Sequence, residues 1–131
     1  MGKKIPKKCI SVEEARELQN AWCDTRTPEI DNCLGFEDTR EFWWSVKELK
    51  KYLRYVERES KKQGIENPGI RAYFGAYPKE KCKMNKGYAT LFLAPTGSPV
   101  GASGKDGDSA ANNYGIEAFN KGGSGNPPHN Y

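Results

Sequence analysis

Between Pro68 and Pro78 the chain contains a stretch in which two kinds of side chain alternate, Gly69–Tyr77. A two-residue period is that of a β-strand, whose successive side chains point to opposite faces. The prolines limit the strand, because proline has no N–H to donate to a neighbouring strand. One set of side chains is apolar and the other mainly polar and aromatic: Ile70, Ala72, Phe74 and Ala76 against Arg71, Tyr73, Gly75 and Tyr77. We therefore predict that Gly69–Tyr77 is the central strand of the fold.

The segment before this strand carries the strongest helix signal, over Ser45–Gln63. Ser45 and Glu48 form a capping box, in which each side chain accepts a hydrogen bond from the other residue's backbone N–H. Gly64 ends the helix, because glycine readily adopts the left-handed conformation found there. Apolar residues at helical spacing predict its buried face: Val46, Leu49, Tyr52, Leu53 and Val56. We expect this face to pack against the apolar face of the central strand.

Further elements are predicted on both sides of this helix. Ser11–Trp22 is a second helix, which begins with another serine–glutamate capping box. Asp24–Asp38 is interpreted as an irregular connection, because proline and glycine interrupt it. Three consecutive aromatic residues in Thr39–Trp44 favour a short strand.

These elements predict an α+β fold with a small mixed sheet of about three strands. Thr39–Trp44, the Ser45–Gln63 helix and the central strand form a βαβ unit, whose two strands lie parallel. Tyr88–Ala94 follows a lysine-rich, hairpin-like link, Pro78–Gly87, and is expected to run antiparallel to the central strand. The two main helices then pack on one face of the sheet.

Composition divides the chain into two parts. Residues 1–96 form the predicted α+β domain with a basic N-terminal arm, and residues 97–131 form a tail rich in glycine, asparagine and proline. A structureless segment of that length is uncommon in a compact domain. Because Tyr114, Ile116 and Phe119 are spaced to bury a surface, we expect the tail to dock on its own sheet or on a neighbouring copy. A disordered tail is the alternative.

Charge, cysteines and hydropathy argue against several protein classes. The formal net charge of +4 over 131 residues is too small to indicate a nucleic-acid-binding protein by itself. The four cysteines form no C-x-x-C pair and the single histidine, His129, lies near the C-terminus, so we predict neither a metal site nor a cofactor. No apolar run approaches the roughly 20 residues of a membrane helix, and no signal peptide is recognised. We expect a cytoplasmic protein without membrane contact.

Two surfaces are candidates for interaction. The first is a line of basic residues opposite the apolar face of the Ser45–Gln63 helix, called the basic ridge below: Lys47, Lys51, Arg54, Arg58 and Lys62. It suits phosphate or an acidic partner, and an ordinary solvated helix face is the alternative. The second surface combines the polar strand face with the tail: Arg71, Tyr73, Tyr77, Tyr114 and Phe119. If the tail leaves the strand face uncovered, that face is a platform for a ligand; if the tail covers it, these residues hydrogen-bond the tail.

The pattern Gly69-Ile70-Arg71-x-Tyr73-Phe74-Gly75-x-Tyr77-Pro78, followed by Thr90-x-Phe92-x-x-Pro95-Thr96, resembles a core pattern of small bacterial proteins of uncharacterised function. Phe42-Trp43-Trp44-Ser45 leading into Glu48-Leu49 is part of the same resemblance, which covers Thr39–Thr96. The resemblance implies a bacterial protein with a single α+β domain. It implies no activity, ligand or catalytic residue.

The sequence leaves three functions to compare. The leading hypothesis is a non-enzymatic protein-interaction or assembly module, which binds a partner protein or associates with itself, because catalytic groups are sparse and the tail suits a surface. The alternative is a nucleic-acid or anion-binding module that uses the basic ridge. The third is a small enzyme of unknown reaction; it has no identifiable catalytic residue, because a Ser–His–Asp or Cys–His set would need His129 from the end of the chain.

Overall fold

The computed structural model of the chain describes residues 4–79, 86–98 and 110–131. These residues form three α-helices and four strands, in the order α1 Val12–Thr25, α2 Thr27–Leu34, β1 Phe42–Trp43, α3 Val46–Lys62, β2 Gly69–Ala76, β3 Ala89–Thr96 and β4 Gly123–Ser124. The chain separates into two compact units, Met1–Arg40 with Gly125–Tyr131, and Glu41–Ser124. The described residues contain no helix long and apolar enough to cross a membrane.

The first unit contains α1 and α2. The hydroxyl of Ser11 accepts a hydrogen bond from the backbone N–H of Glu14 (3.0 Å), which confirms the predicted start of α1. The interpretation of Asp24–Asp38 as an irregular connection is wrong, because α2 lies within it. Pro28 stands in the first turn of α2, where its missing N–H costs nothing, and Gly35 ends α2 with φ of 78°. Pro28 and Gly35, which were interpreted as interruptions of a connection, therefore mark the beginning and the end of a helix.

The last residues of the chain complete the first unit. The buried hydroxyl of Thr39 donates to the side-chain oxygen of Asn126, and the guanidinium of Arg40 donates to that of Asn130 (3.1 Å). The backbone N–H of Tyr131 donates to the side chain of Gln19 on α1 (2.9 Å). The C-terminus is thus held by side-chain amides and hydroxyls rather than by apolar burial.

The second unit is built around α3. Both hydrogen bonds of the Ser45–Glu48 capping box are present, and Gly64 follows the helix with φ of 75°, so the predicted limits of α3 are confirmed. The predicted buried face is partly wrong: Val46 is 70% exposed and Leu53 is 37% exposed. The buried residues of α3 are Tyr52, Val56 and Ser60. Val46 and Leu53 lie about 60–80° around the helix from Val56, at the edge of this narrower buried line.

Two antiparallel sheets of two strands each replace the predicted mixed sheet in the described residues. β2 pairs with β3 from Gly69 opposite Thr96 to Ala76 opposite Ala89, which confirms that the two strands run antiparallel; most of the predicted hairpin-like link, Pro78–Gly87, lies outside the described residues. The predicted βαβ unit is wrong, because β1 is only two residues long and pairs antiparallel with β4. β4 comes from the glycine-rich C-terminal region, whose extended backbone satisfies the hydrogen bonds that a parallel neighbour of β1 was expected to provide.

Residues 110–120 lie along the edge of β3 opposite to β2. Leu93 and Phe119 exchange both backbone hydrogen bonds (2.8 and 2.9 Å), and the N–H of Asn113 donates to the carbonyl of Pro95 (2.9 Å). β3 therefore lies between β2 and this returning segment. The sequence division into residues 1–96 and 97–131 stays a prediction; in the contacts of the structure, residues 110–124 cluster with β2, β3 and α3.

The core of the second unit joins α3, β3 and the returning segment. Tyr52, Val56 and Ile116 form the buried cluster, and Tyr55, Leu93 and Phe119 pack against it. The ring of Phe119 stacks on that of Tyr52 at a centroid distance of 4.5 Å. Of the two helices expected to cover one sheet face, α3 supplies this cluster and α1 belongs to the first unit.

Candidate functional site

The polar face of β2 is engaged by the returning segment. The guanidinium of Arg71 donates to the side-chain oxygen of Asn112 and to the backbone carbonyl of Ala110 (2.8 Å). The amide of Asn112 then donates to the hydroxyl of Tyr73 (2.7 Å), whose ring stacks on Phe92 at 5.2 Å. Arg71 and Tyr73 thus hold residues 110–112 over this face of the hairpin.

A second hydrogen-bonded group lies at the other end of the same face. The hydroxyl of Tyr77 donates to the side-chain oxygen of Asn120 (2.6 Å) and accepts a hydrogen bond from the hydroxyl of Thr90 (3.2 Å). The amide of Asn120 donates to Thr90 (3.0 Å) and to the carbonyl of Leu91 (2.7 Å). These contacts occupy the polar groups that a ligand platform on this face would offer.

The two tail residues among the candidates have different environments. Tyr114 is 91% exposed, so it does not dock on the described residues of its own chain, and its docking on a neighbouring copy stays a prediction. Ile116, two residues later, is only 4% exposed and belongs to the core cluster. Phe119 packs on Tyr52 and also lies 5.2 Å from the ring of Trp44. Phe119 therefore contributes to the fold, and Tyr114 belongs to the surface.

The apolar face of β2 is largely exposed. Phe74 is 76% exposed and Ile70 38%, and Ala72 and Ala76 between and beside them are exposed as well. Ala72 lies directly opposite Leu93, so the two side chains share a face of the hairpin. Leu93 packs on the α3 cluster, which shows that α3 covers the β3 half of this face.

The expectation that α3 covers Ile70 and Phe74 is therefore wrong. The helix α3 packs on the predicted apolar face, but the residues that it covers are Leu93 and Phe119. The physical reason is that residues 110–120 pair with β3 and make it the middle strand, so that a helix packed over the middle of this layer leaves β2 at the rim.

The backbone of β2 has a defined orientation at that rim. Both polar groups of Leu93 bond to Phe119, so they point away from β2. Hydrogen-bonded and non-hydrogen-bonded pairs alternate along an antiparallel ladder, which makes Ala72–Leu93 a non-hydrogen-bonded pair. The same residues that form the apolar face therefore direct their N–H and C=O groups to the outer side of β2: Ile70, Ala72, Phe74 and Ala76. Within the described residues β2 has one sheet neighbour, β3, and we call its outer side the β2 edge.

The basic ridge lies at the surface of α3. All five of its side chains are exposed: Lys47, Lys51, Arg54, Arg58 and Lys62. Glu59 forms ion pairs with Arg58 (3.5 Å) and Lys62 (3.0 Å), and the hydrogen bond from Lys62 lowers the pKa of Glu59. The positive charge of the ridge is partly offset at this C-terminal end, so it is strongest toward the N-terminal end of α3.

Aromatic rings adjoin the ridge. A groove of about 450 Å³ is lined by Tyr52, Tyr55, Phe119, Glu48 and by two ridge residues, Lys51 and Arg58. The guanidinium of Arg58 lies 5.7 Å above the ring of Tyr55. Burial raises the pKa of Tyr52 to about 12, with a smaller contribution from the neighbouring Tyr55. Tyr52 therefore stays a neutral hydrogen-bond donor at physiological pH.

Groups that could hold a metal are not gathered in the parts of the chain described. No three histidine, cysteine or acidic side chains of residues 4–79, 86–98 and 110–131 come together in a cluster suited to an ion. Cys9, Cys23 and Cys33 are free thiols, and Cys82 lies outside the described residues.

No protein-family model, curated protein or solved structure matches this chain. The resemblance of Thr39–Thr96 to small bacterial proteins stays a prediction.

Sequence reasoning missed the most distinctive surface, the exposed apolar face of β2. The alternation of Gly69–Tyr77 identified both faces correctly as sets of residues, but alternation carries no information about which set is covered. The one available signal in the sequence was the absence of charge from the apolar set, since Arg71, the only charged residue of the stretch, belongs to the other set.

Proposed function

We propose that this protein is a protein-interaction module that associates through its β2 edge. The observation that carries the proposal is the exposure of a continuous apolar row on β2, which has one sheet neighbour among the described residues; Phe74 in this row is 76% exposed. Addition of a strand to such an edge supplies backbone hydrogen bonds and buries alternate side chains. The leading hypothesis from the sequence, a protein-interaction module, is thereby assigned to a defined surface, the β2 edge.

Edge strands usually carry features that prevent pairing, such as lysines, prolines or bulges. β2 has eight residues, and its register with β3 is continuous over all of them. Its one charged side chain, Arg71, lies on the other face and bonds Asn112 and Ala110. The β2 edge therefore lacks a charged residue directed against an incoming strand.

Energetics require a partner that engages more than one side chain. Full burial of Phe74 contributes roughly 1.5–3 kcal/mol. Association costs about 4–15 kcal/mol in lost translational and rotational freedom. The gain must therefore come from Phe74 together with Ile70 and the strand hydrogen bonds, which favours strand addition over the insertion of a single ring into a pocket.

Substitution of Phe74 by lysine tests the proposal. Phe74→Lys places a charge on the apolar row, and Val46→Lys places the same charge at a comparably exposed apolar site on α3, 70% exposed. Sedimentation of the pure protein and cross-linking in cells followed by mass spectrometry measure its complexes. We expect Phe74→Lys to lose the complexes that the wild type and Val46→Lys retain. Identical complexes for all three proteins would refute the proposal.

A second candidate function, nucleic-acid or anion binding, is favoured by the groove beside the basic ridge. Lys51 and Arg58 flank rings of Tyr52, Tyr55 and Phe119, and basic residues beside aromatic rings are the elements of single-strand binding. The rings are partly engaged with one another, which limits the area available for stacking.

Titration of a labelled single-stranded oligonucleotide tests this candidate. Binding is expected to fall steeply with salt and to be lost in Arg54→Glu/Arg58→Glu, because phosphate contacts release counterions. Arg16→Glu/Arg26→Glu changes the same net charge at exposed positions of the first unit and serves as the control. Absence of binding at low salt eliminates the candidate. The third hypothesis, a small enzyme, is favoured by no specific observation within the described residues.

A further inference from the structure

We propose that the partner of the β2 edge is a second copy of this chain, whose β2 pairs antiparallel with the first around a two-fold axis at Tyr73. The two hairpins then form one continuous sheet. The inference rests on the proposed function and adds to it the identity of the partner and the register of the contact.

The outward backbone groups restrict the possible registers. Ile70, Ala72, Phe74 and Ala76 carry the N–H and C=O groups of the outer side, so these residues must lie opposite one another in a self-paired strand. This condition is met when the two-fold axis passes at any residue of β2, and at least three of the four outward residues of each copy are paired when it passes at Ala72, at Tyr73 or at Phe74. Registers with the axis between two residues place outward groups opposite inward ones and form no ladder.

The prolines that flank β2 select one of these three registers. With the axis at Ala72, Ala76 lies opposite Pro68 of the partner subunit, and with the axis at Phe74, Ile70 lies opposite the partner's Pro78. Proline has no N–H to donate, so each of these registers loses ladder hydrogen bonds. With the axis at Tyr73 the two prolines lie opposite each other outside the ladder, and all four outward residues of each copy are paired.

Side-chain sizes agree with the same register. On the apolar face Phe74 lies opposite the partner's Ala72, and Ile70 opposite the partner's Ala76, so each large side chain meets a small one. An axis at Phe74 would instead place the two phenylalanines directly opposite each other, and one at Ala72 would place Ile70 opposite Phe74. Large and small side chains that alternate across a contact fill space without voids or overlap.

The charge on the other face also agrees. Arg71 is the only charged residue of β2, and like charges directly opposite are destabilising in antiparallel pairs. With the axis at Tyr73, Arg71 lies opposite the partner's Gly75, so the two guanidinium groups are separated by the width of the central pair. The strand is thus complementary to itself in backbone, size and charge in a single register.

Disulfide trapping tests the register directly. In a background with Cys9, Cys23, Cys33 and Cys82 changed to serine, one sample carries Ala72→Cys and another carries Phe74→Cys, both on the exposed face. Facing residues of a hydrogen-bonded pair are about 5.5 Å apart between Cα atoms, which a disulfide spans. Mixing the two samples is expected to give covalent dimers at least several-fold faster than either sample alone. Faster dimerisation of one sample alone would overturn the register, since it indicates an axis at Ala72 or Phe74.

Sedimentation of the natural sequence tests the dimer itself. We expect an apparent mass that doubles with rising concentration, and its return to the monomer value in Ala72→Pro. The N–H of Ala72 points to the outer side, so proline there removes a hydrogen bond of the β2 edge and none of the β2–β3 ladder. Phe74→Lys provides a second variant if Ala72→Pro fails to fold. A protein that stays monomeric while Phe74→Lys abolishes a complex with another protein would overturn this inference and leave the proposed function standing.

Discussion

Arg71 and Asn112, 41 residues apart in the chain, are joined by a hydrogen bond from the guanidinium to the side-chain oxygen. The same amide group donates to Tyr73, two residues from Arg71 on the same strand face. One asparagine of the returning segment therefore satisfies two side chains of β2. Because these contacts occupy the polar face, the face of β2 that stays exposed is the apolar one.

Asn112→Ala is expected to destabilise the second unit by about 1–3 kcal/mol, because it removes one acceptor of a partly buried guanidinium and the donor to Tyr73. Urea unfolding measures the change. Asn113→Ala is the matched control, since its side chain also makes two hydrogen bonds, to Gln63 and from the N–H of Gly115, but both are exposed. An equal loss of stability in both variants would contradict the role given to Asn112.

Gly122→Ala is expected to cost roughly 1–3 kcal/mol, because a Cβ at this position would lie 2.6 Å from the carbonyl oxygen of Trp43 and 2.7 Å from the indole nitrogen of Trp44. The backbone carbonyl cannot move away without disturbing the pairing of β1 with β4. Chemical unfolding and the indole N–H resonance of Trp44, which donates to Asn120 (2.9 Å), report the effect.

Gly123→Ala is the control for that experiment. A Cβ at Gly123 would meet its nearest neighbour at 3.8 Å, an ordinary contact distance. We expect its stability to stay within about 0.5 kcal/mol of the wild type. Equal stabilities of Gly122→Ala and Gly123→Ala would contradict the close approach of Gly122 to the two tryptophans.

Val56→Ala is expected to cost more than Leu53→Ala, although it removes fewer atoms. Val56 is 2% exposed and Leu53 37% exposed. Loss of two buried methyl groups and the remaining cavity costs about 2 kcal/mol or more, whereas a side chain at the rim of the buried line costs roughly 1 kcal/mol or less. Thermal or urea unfolding of both variants decides the order, and the reverse order would mean that α3 is rotated from the position described.

Tyr52→Phe is expected to change how stability depends on pH. Burial raises the pKa of Tyr52 from 10.0 to about 12, so the unfolded chain loses this proton first as the pH rises. The stabilisation from the phenol is complete below pH 10 and is lost as the pH rises toward 12. Tyr52→Phe, which lacks the hydrogen bond to Glu117, is therefore less stable than the wild type at pH 8 by roughly 1 kcal/mol; the difference shrinks above pH 10 and changes sign before pH 12.

The free energy of unfolding of both proteins is measured at a series of pH values. At each pH the lysines and the other tyrosines ionise alike in the two proteins, so the difference between them reports on Tyr52. If the stabilities of the two proteins changed in parallel from pH 8 to about 12, the hydroxyl of Tyr52 would have the same proton affinity in the folded and unfolded chain.

Local signals in the sequence determined the elements that depend on neighbouring residues. Ser45, Glu48 and Gly64 set the limits of α3, because capping groups and a left-handed glycine act within one helical turn. The alternation of Gly69–Tyr77 specified β2 and its two faces for the same reason. Even here a local signal could be misread: Pro28 and Gly35 mark the ends of α2 and were interpreted as interruptions.

Tertiary structure alone decided which surfaces are covered. The partner of β1, the middle position of β3 and the burial of Val56 in preference to Leu53 all follow from the return of residues 110–124 to the second unit. The contacts that hold this segment join residues 65 apart at Tyr52 and 76 apart at Trp44. No short-range pattern encodes such pairings, because each depends on the summed burial and hydrogen bonding of distant groups. The exposed apolar row on β2 is a consequence of that arrangement, and so it is visible only in the folded chain.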